Sequence, residues 1–129
     1  MQKPRSAVMV VRDNKLLLIE RKKGDEPAYF VLPGGGVEAG ETPSQAAARE
    51  MQEELGVEIE VKSLVKDPEQ TDRETWIVRA SLTGDAQPEW QEVHKQRPDN
   101  SYRVVWAPVE QLGEMDVYPG GAVKLLHPD

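Results

Sequence analysis

Thr42 to Gly56, "TPSQAAAREMQEELG", is the stretch that leaves the fewest options open. Thr42 can accept a hydrogen bond from the first helical turn, Pro43 suits the first helical position, and Gln45, three residues after Thr42, completes a capping-box pattern. Gly56 supplies a left-handed stop. The spacing predicts a helix over Pro43–Leu55, and whatever surrounds it must pack against one 13-residue helix.

The flanks read as strands. "SAVMVV" and "KLLLIE" stand on either side of Asp13-Asn14, a pair that tolerates the positive φ of a tight hairpin. "YFVL" is ended by Pro33, and three glycines follow at once. After the helix, "VEIEVKSLV", "TWIVRASL" and "YRVVWAP" alternate or cluster apolar residues as strands do. "PVEQL" and "GGAVKLL" read as short helical pieces, and "GDAQPEWQEVHKQRPDNS" as a long polar loop of the kind that often carries function. Strands, helix, strands, helix predict a mixed α/β layer structure, and 129 residues suit a single domain over 1–129.

On a helical wheel, Glu50, Glu53 and Glu54 share one arc of about 100°, while Ala48, Met51 and Leu55 lie on a separate docking face. Ala46 and Ala47 stand next to the Glu50 arc and are too small to obstruct it. No Lys or Arg follows any of these Glu at i+4, and Glu50 and Glu54 are a like-charged i,i+4 pair. Partly out of water, two carboxylates about 5 Å apart repel by roughly 3 kcal/mol at an effective dielectric of about 20. A divalent cation reverses that sign, and carboxylate oxygens are the donors Mg²⁺ and Mn²⁺ prefer. The "LPGGG" stretch before the helix lets backbone approach closely, or else serves as a turn.

The formal charge is -7, and Glu38 to Glu60 holds seven Glu against one Arg. The excess acidity is local. Such a chain has no general attraction for duplex nucleic acid or anionic lipid, which are bound through Lys and Arg clusters. There is no cysteine, which excludes disulfides, thiolate metal sites and a Cys nucleophile, and suits a reducing compartment. The apolar run Ala7–Val11 is closed by Arg12 and Asp13 before it reaches signal-peptide length, and no run approaches a membrane span. The chain reads as a soluble, cytoplasmic protein.

From Gly35 to Val57 the residues fit Gly-x5-Glu-x7-Arg-Glu-U-x-Glu-Glu-x-Gly-U at every fixed position, with Met51 and Val57 as the bulky aliphatic U. In this the chain resembles the Nudix hydrolase family, with "YFVLPGG" ahead of the box and "YRVVWAPVEQL" near the end agreeing with the likeness. The resemblance implies an α/β/α sandwich with a mixed β-sheet, and hydrolysis of a diphosphate bond in a nucleoside diphosphate linked to another group X. It implies Mg²⁺ (or Mn²⁺) as cofactor and a small nucleotide-type molecule as the binding partner. Carried over by position, Glu53 and Glu54 match metal-binding carboxylates, Glu50 a further ligand or the base that activates water, and the Gly34 carbonyl a backbone ligand. Arg49 and Glu41 match residues that brace the loop and orient the glutamates.

Outside the box, Glu89 and Glu92 in the long loop are candidates for a downstream acid, equally well read as solvated loop charges. Arg12, Arg21, Lys22 and Arg97 are basic residues that could meet substrate phosphates, Arg21 among them as a substrate-binding residue. Trp76, Trp90, Trp106, Tyr29 and Tyr102 could stack on a base, and Trp90 is best placed because it sits in the loop. His94 and His127 read as surface residues. Subfamilies acting on ADP-ribose or dinucleoside polyphosphates often carry Pro or Tyr sixteen to eighteen residues after the box, where this chain has Arg73, Glu74 and Thr75. X therefore stays open. A homodimer is expected because the first hairpin offers more apolar residues than one small core needs. The competing reading is a non-catalytic nucleotide-sensing or interaction module, though such modules commonly lose box glutamates that are all present here. Isoprenoid diphosphate isomerisation would need a protonating residue such as Cys.

Overall fold

Asp13 and Asn14 both take positive φ, 53° and 61°. That is the backbone of a two-residue hairpin turn, and it reverses the chain between β2 (Val11–Arg12) and β3 (Lys15–Lys23). The computed structural model describes residues 3–69 and 72–126, so His127 lies outside the described residues.

Two mixed sheets make up the middle layer. The first has the order β5-β1-β7-β6, formed by Gly34–Gly36 (β5), Arg5–Met9 (β1), Thr75–Leu82 (β7) and Ile59–Lys66 (β6). In it β1 runs antiparallel to β5 and parallel to β7. The second is centred on β3, which pairs with β2, with β4 (Tyr29–Val31), and over nine residue pairs with β8 (Asn100–Pro108). The two-residue β9 (Val117–Tyr118) adds to β4 in parallel. The expected single mixed sheet is thus divided where the first apolar run passes from β1 through Val10 into β2.

The run Leu16-Leu17-Leu18-Ile19 is apolar at every position because both faces of β3 are buried. Leu17 and Ile19 join Val8, Val10 and Val78 in one core, closed by Ala47, Met51 and Leu55 of α1 (Pro43–Leu55). Leu16 and Leu18 join Ala7, Met9 and Leu32 in the other, closed by Leu112 of a 3₁₀ turn (Val109–Glu114) and Ala122 of the six-residue α2 (Gly121–Leu126). Helix, sheets and a thin second helical layer give the three-layer α/β architecture. Burying Met51 and Leu55 contributes on the order of 2 kcal/mol each.

Helix α1 keeps the predicted limits. Thr42 accepts from the Gln45 N–H, Gln45 accepts from the Thr42 N–H, and Gly56 closes the helix at φ 67°. Its docking face differs from the wheel: Ala48 is exposed, whereas Ala46 and Ala47 are buried. Ala47, Met51 and Leu55 form the apolar i, i+4, i+8 stripe. Ala46, Glu50 and Glu54 form the stripe beside it, so Glu50 and Glu54 lie along the rim of the core rather than on an open face.

The apolar residues of the first hairpin are not surplus to the core. Val8, Val10 and Leu16 to Ile19 are all consumed by the two cores, and in that hairpin only Val11 is a large exposed apolar residue. Among the described residues no helix is long and apolar enough to cross a membrane.

Candidate active site

The glycine run is not a free turn. It forms β5, an edge strand laid along β1 with Gly34 opposite Ala7 and Gly36 opposite Arg5. Gly34 has φ 144°, and a Cβ there would collide with the Ser6 carbonyl oxygen. A Cβ on Gly35 would stand 2.5–2.8 Å from the Glu50 carboxylate. The first glycine lets two strands close up, and the second lets a carboxylate rest on bare backbone.

Arg49 gathers the acids around it. Its Nε and Nη2 take both oxygens of Glu41, at 2.8 and 3.0 Å, and Nη2 also donates to the Gly36 carbonyl at 3.0 Å. Nη1 reaches Glu50 Oε1 at 2.9 Å and Glu53 Oε2 at 3.3 Å. Glu41 accepts in addition from the Glu38 N–H at 2.8 Å. The loop from β5 to α1 is therefore tied to the helix through one guanidinium. The hydrogen bonds from Arg49, then that from Glu38, hold the Glu41 carboxyl down to about 2, and the bonds to Glu41 raise the Arg49 pKa further.

Glu54 is in a different setting. It accepts from the Gly34 N–H at 2.9 Å. Burial pushes its pKa up to about 7, aided by the charges of Glu50 and Glu92 and opposed by the Gly34 hydrogen bond and by Arg5. Glu53, one residue earlier, is 56% exposed.

Hard oxygen donors crowded at the edge of a core fit a divalent cation by their chemistry, and such an ion would favour the ionised form of Glu54 that burial, and then the charges of Glu50 and Glu92, disfavour. They are not gathered on one point: among the described residues no three acidic or histidine side chains converge as a cation site. Arg49 instead binds one oxygen each of Glu50 and Glu53.

Glu54 and Gly34 form one side of a cavity of about 230 Å³ that also meets Arg5, Arg21, Trp90, Lys95 and Tyr102. Arg21 stands on β3 directly between Tyr29 of β4 and Tyr102 of β8. Its guanidinium lies 4.4 Å from the Tyr102 ring centroid and 5.8 Å from that of Tyr29, and donates to the Tyr102 hydroxyl at 2.8 Å. Trp90 stacks on Tyr102 at 4.6 Å. Arg21, Trp90, Tyr29 and Tyr102 are therefore brought together at this cavity, with Glu54.

The other basic candidates are engaged elsewhere. Arg12 donates to the carbonyls of Ala86 and Gly84 and lies over Trp106, Lys22 donates to Glu26, and Arg97 to His94. Trp76 bonds Glu74. Glu89 is exposed, and its contribution is backbone: its N–H donates to the Leu55 carbonyl while that of Gln91 donates to the Glu54 carbonyl, which docks the long loop on the C-terminal end of α1. Glu92, by contrast, is near enough to raise the Glu54 pKa and pairs with Lys95 at 3.2 Å.

Sequence reasoning passed over Arg5 and Lys95. Arg5 also lines a second cavity of about 550 Å³, with Tyr29, Asp72, Arg73, Asp116 and Tyr118. Thr75, at the position of the subfamily markers, faces the same space. Nothing in the composition around Arg5 signals it, because the signal is the parallel pairing of β1 with β7, a long-range contact.

The family model described as the NUDIX domain matches residues 2–126. An ADP-ribose pyrophosphatase from Methanocaldococcus jannaschii is 49% identical over 57 residues, 44% of this chain and 34% of that protein. An 8-oxo-dGTP diphosphatase from Escherichia coli is 43% identical over 60 residues, 44% of this chain and 46% of that protein. The matched stretch thus spans less than half the length of these curated relatives. Among solved structures, the Escherichia coli ORF135 protein superposes with a TM-score of 0.67 at 24% identity, over 98% of this chain and 88% of that one. A MutT structure from a study of the Aliivibrio salmonicida and Vibrio cholerae proteins gives 0.64 at 22% identity, over 98% and 97%. At that identity the two structures speak for the fold.

Proposed function

This chain belongs to the Nudix family, and we propose that it hydrolyses a diphosphate bond in a nucleoside diphosphate linked to another group X, by attack of water at phosphorus with Mg²⁺ or Mn²⁺ as cofactor. The observation that carries the reading is Glu54: a carboxylate at the rim of the core, held by one backbone N–H, at the wall of a cavity whose other charged side chains are Arg5, Arg21 and Lys95. Acid and base at one cavity suit a ligand that is an anion and arrives with a cation.

Glu50, Glu53 and Glu54, with the Gly34 carbonyl as a backbone donor, would hold the divalent cation, which offsets the charge of the diphosphate and lowers the pKa of the attacking water. The protein's own groups do the rest. Arg49 and Glu41 keep the β5–α1 loop and Glu50 in place, and the Gly34 N–H fixes the direction of Glu54. Glu50, or Glu92 from the loop, would take the proton from water. Arg21 and the stacked Trp90–Tyr102 pair bound the space for substrate. The relatives' names differ in substrate, an ADP-ribose pyrophosphatase against an 8-oxo-dGTP diphosphatase, and so leave X open.

The test is incubation with a panel of nucleotides, nucleotide sugars and dinucleotides under Mg²⁺ or Mn²⁺ in isotopically labelled water. Turnover of at least one member is expected, and the label identifies the phosphorus attacked. A folded, metal-bound protein inert across the whole panel overturns the reading. Tight nucleotide binding indifferent to metal, with no product, would favour a sensing module instead.

A further inference from the structure

We propose that Arg5 binds the phosphate chain of the substrate at the junction of the two cavities, so that the ligand this site selects is a diphosphate ester spanning both. Arg5 lines the cavity of about 230 Å³ that holds Glu54 and also the one of about 550 Å³ that holds Tyr29 and Tyr118. The inference rests on the hydrolase reading and names the residue and the ligand shape for that site.

Arg5 differs from the other cations nearby in having nothing to hold. Arg49 is saturated by carboxylates, Arg21 donates to the Tyr102 hydroxyl, Arg73 donates to the Lys3 carbonyl, and Lys95 pairs with Glu92. Among the described residues the Arg5 guanidinium makes no hydrogen bond and no ion pair, although it is partly buried. After burial, the largest influence on it is that of Arg73, a like charge, followed by the opposing influences of Glu54 and Glu50. A half-buried guanidinium beside a second one, with Glu54 and Glu50 near enough to act on it but none of them bonded to it, is an arrangement that a bound anion stabilises.

The backbone fixes where it points. Arg5 begins β1 opposite Gly36 on one side and Thr75 on the other. Its neighbour Ser6 faces the other way and donates to the Pro43 carbonyl at 2.7 Å. The planar fork of Arg can take two phosphoryl oxygens at once. Anchored there, a diphosphate has the carboxylates on one side. Its organic group then enters the larger cavity, against the wall made by Tyr29 and Tyr118, whose rings pack edge to face at 6.1 Å and of which Tyr118 is 50% exposed.

Arg5→Gln and Arg5→Lys test this, with melting curves to establish folding. Steady-state kinetics on the best nucleotide of the panel should show KM raised at least tenfold in Arg5→Gln with kcat moved far less, and part of the loss recovered in Arg5→Lys. Calorimetric titration with inorganic pyrophosphate, which needs no turnover, should show a similar weakening. KM and pyrophosphate affinity both within about twofold of the unsubstituted protein, in a folded Arg5→Gln, overturn the proposal while leaving the hydrolase reading standing. Should Arg5→Gln not fold, the Arg5 Nε–H resonance of the unsubstituted protein, assigned by its loss in Arg5→Lys, must shift on adding pyrophosphate but not chloride. A resonance indifferent to pyrophosphate likewise overturns it.

Discussion

One turn of α1 separates two carboxylates that the same sequence motif supplies and that meet opposite fates. Glu50, with Glu41, is held by Arg49 through charge-assisted bonds of 2.8–3.0 Å. Glu54 has a single backbone N–H, and burial, helped by the like charges of Glu50 and Glu92, raises its pKa to about 7. The first region spends its charge on structure: it pins a glycine-rich strand and its loop to a helix. The second stores unfavourable charge, which is the usual mark of a group kept for a ligand. A count of acidic residues cannot tell these apart; the position of one guanidinium does.

Glu54→Gln should break the contrast most. Gln keeps an acceptor for the Gly34 N–H and removes the charge, so turnover should fall by orders of magnitude. Metal-free stability should move the other way. The pKa rises from 4.5 to about 7, so ionising Glu54 in the folded state costs roughly 3 kcal/mol above pH 7, and the substitution removes that cost. Chemical denaturation at pH 8 should find the variant more stable by up to that amount, and at pH 4 nearly unchanged. Glu53→Gln is the control: activity should also collapse if Glu53 is a metal ligand, but with an exposed side chain the metal-free stability should hardly move at either pH. Equal stability changes in both variants would dissolve the distinction drawn between the two carboxylates.

Arg49→Lys probes the other region with a smaller effect. Lys keeps the charge but cannot span Glu41, Glu50 and the Gly36 carbonyl together. Loss of about 1–3 kcal/mol is expected on urea unfolding, as for a hydrogen-bonded charged network left partly unsatisfied. A variant as stable as the parent would show that charge alone, without the fork, braces the loop.

In the pH profile of the unsubstituted, metal-free protein the two regions have opposite signs. Glu41 is depressed to about 2, so its contribution is present above 4.5 and is lost as pH falls toward 2. Glu54 is raised, so its contribution is complete below 4.5 and is lost as pH rises through about 7. Melting temperature should therefore decline on both sides of about pH 4.5, and added Mg²⁺ should restore more at pH 8 than at pH 5, because cation and proton compete for Glu54. A profile that is flat between pH 4.5 and 8 removes the stored charge from the account.

How much of this the sequence displayed depends on the range of the interaction. Helix α1 was legible to its ends because Thr42, Pro43, Gln45 and Gly56 act within one turn of themselves. The hairpin at Asp13-Asn14 was legible for the same reason. The wheel misplaced Ala46, Ala47 and Ala48, since alanine gives no sign of which flank a sheet will cover. The surplus of apolar residues in the first hairpin was misread because a strand buried on both faces by two separate cores looks, in one dimension, like unused hydrophobic surface. Strand β5 escaped notice because three glycines carry no β propensity and pair only when β1 is already there. The cluster Arg5, Arg21, Tyr29 and Tyr102 could not be assembled beforehand, because strand register puts them together.

Register also decides the last and smallest prediction, which concerns the two loop acids the sequence left equal. Glu89 faces solvent, and what ties it to α1 is its N–H on the Leu55 carbonyl, which survives any change of side chain. Glu89→Gln should alter turnover less than twofold. Glu92 contributes its charge to Glu54, so Glu92→Gln should lower the Glu54 pKa by removing one of the two carboxylates that raise it, and Mg²⁺ should then bind tightly to a lower pH. Following Mg²⁺ affinity from pH 5 to 8 in both variants separates the two residues: a midpoint displaced downward in Glu92→Gln and unmoved in Glu89→Gln is expected. The reverse pattern would assign the coupling to Glu89 and would mean that the loop docks on α1 in another register.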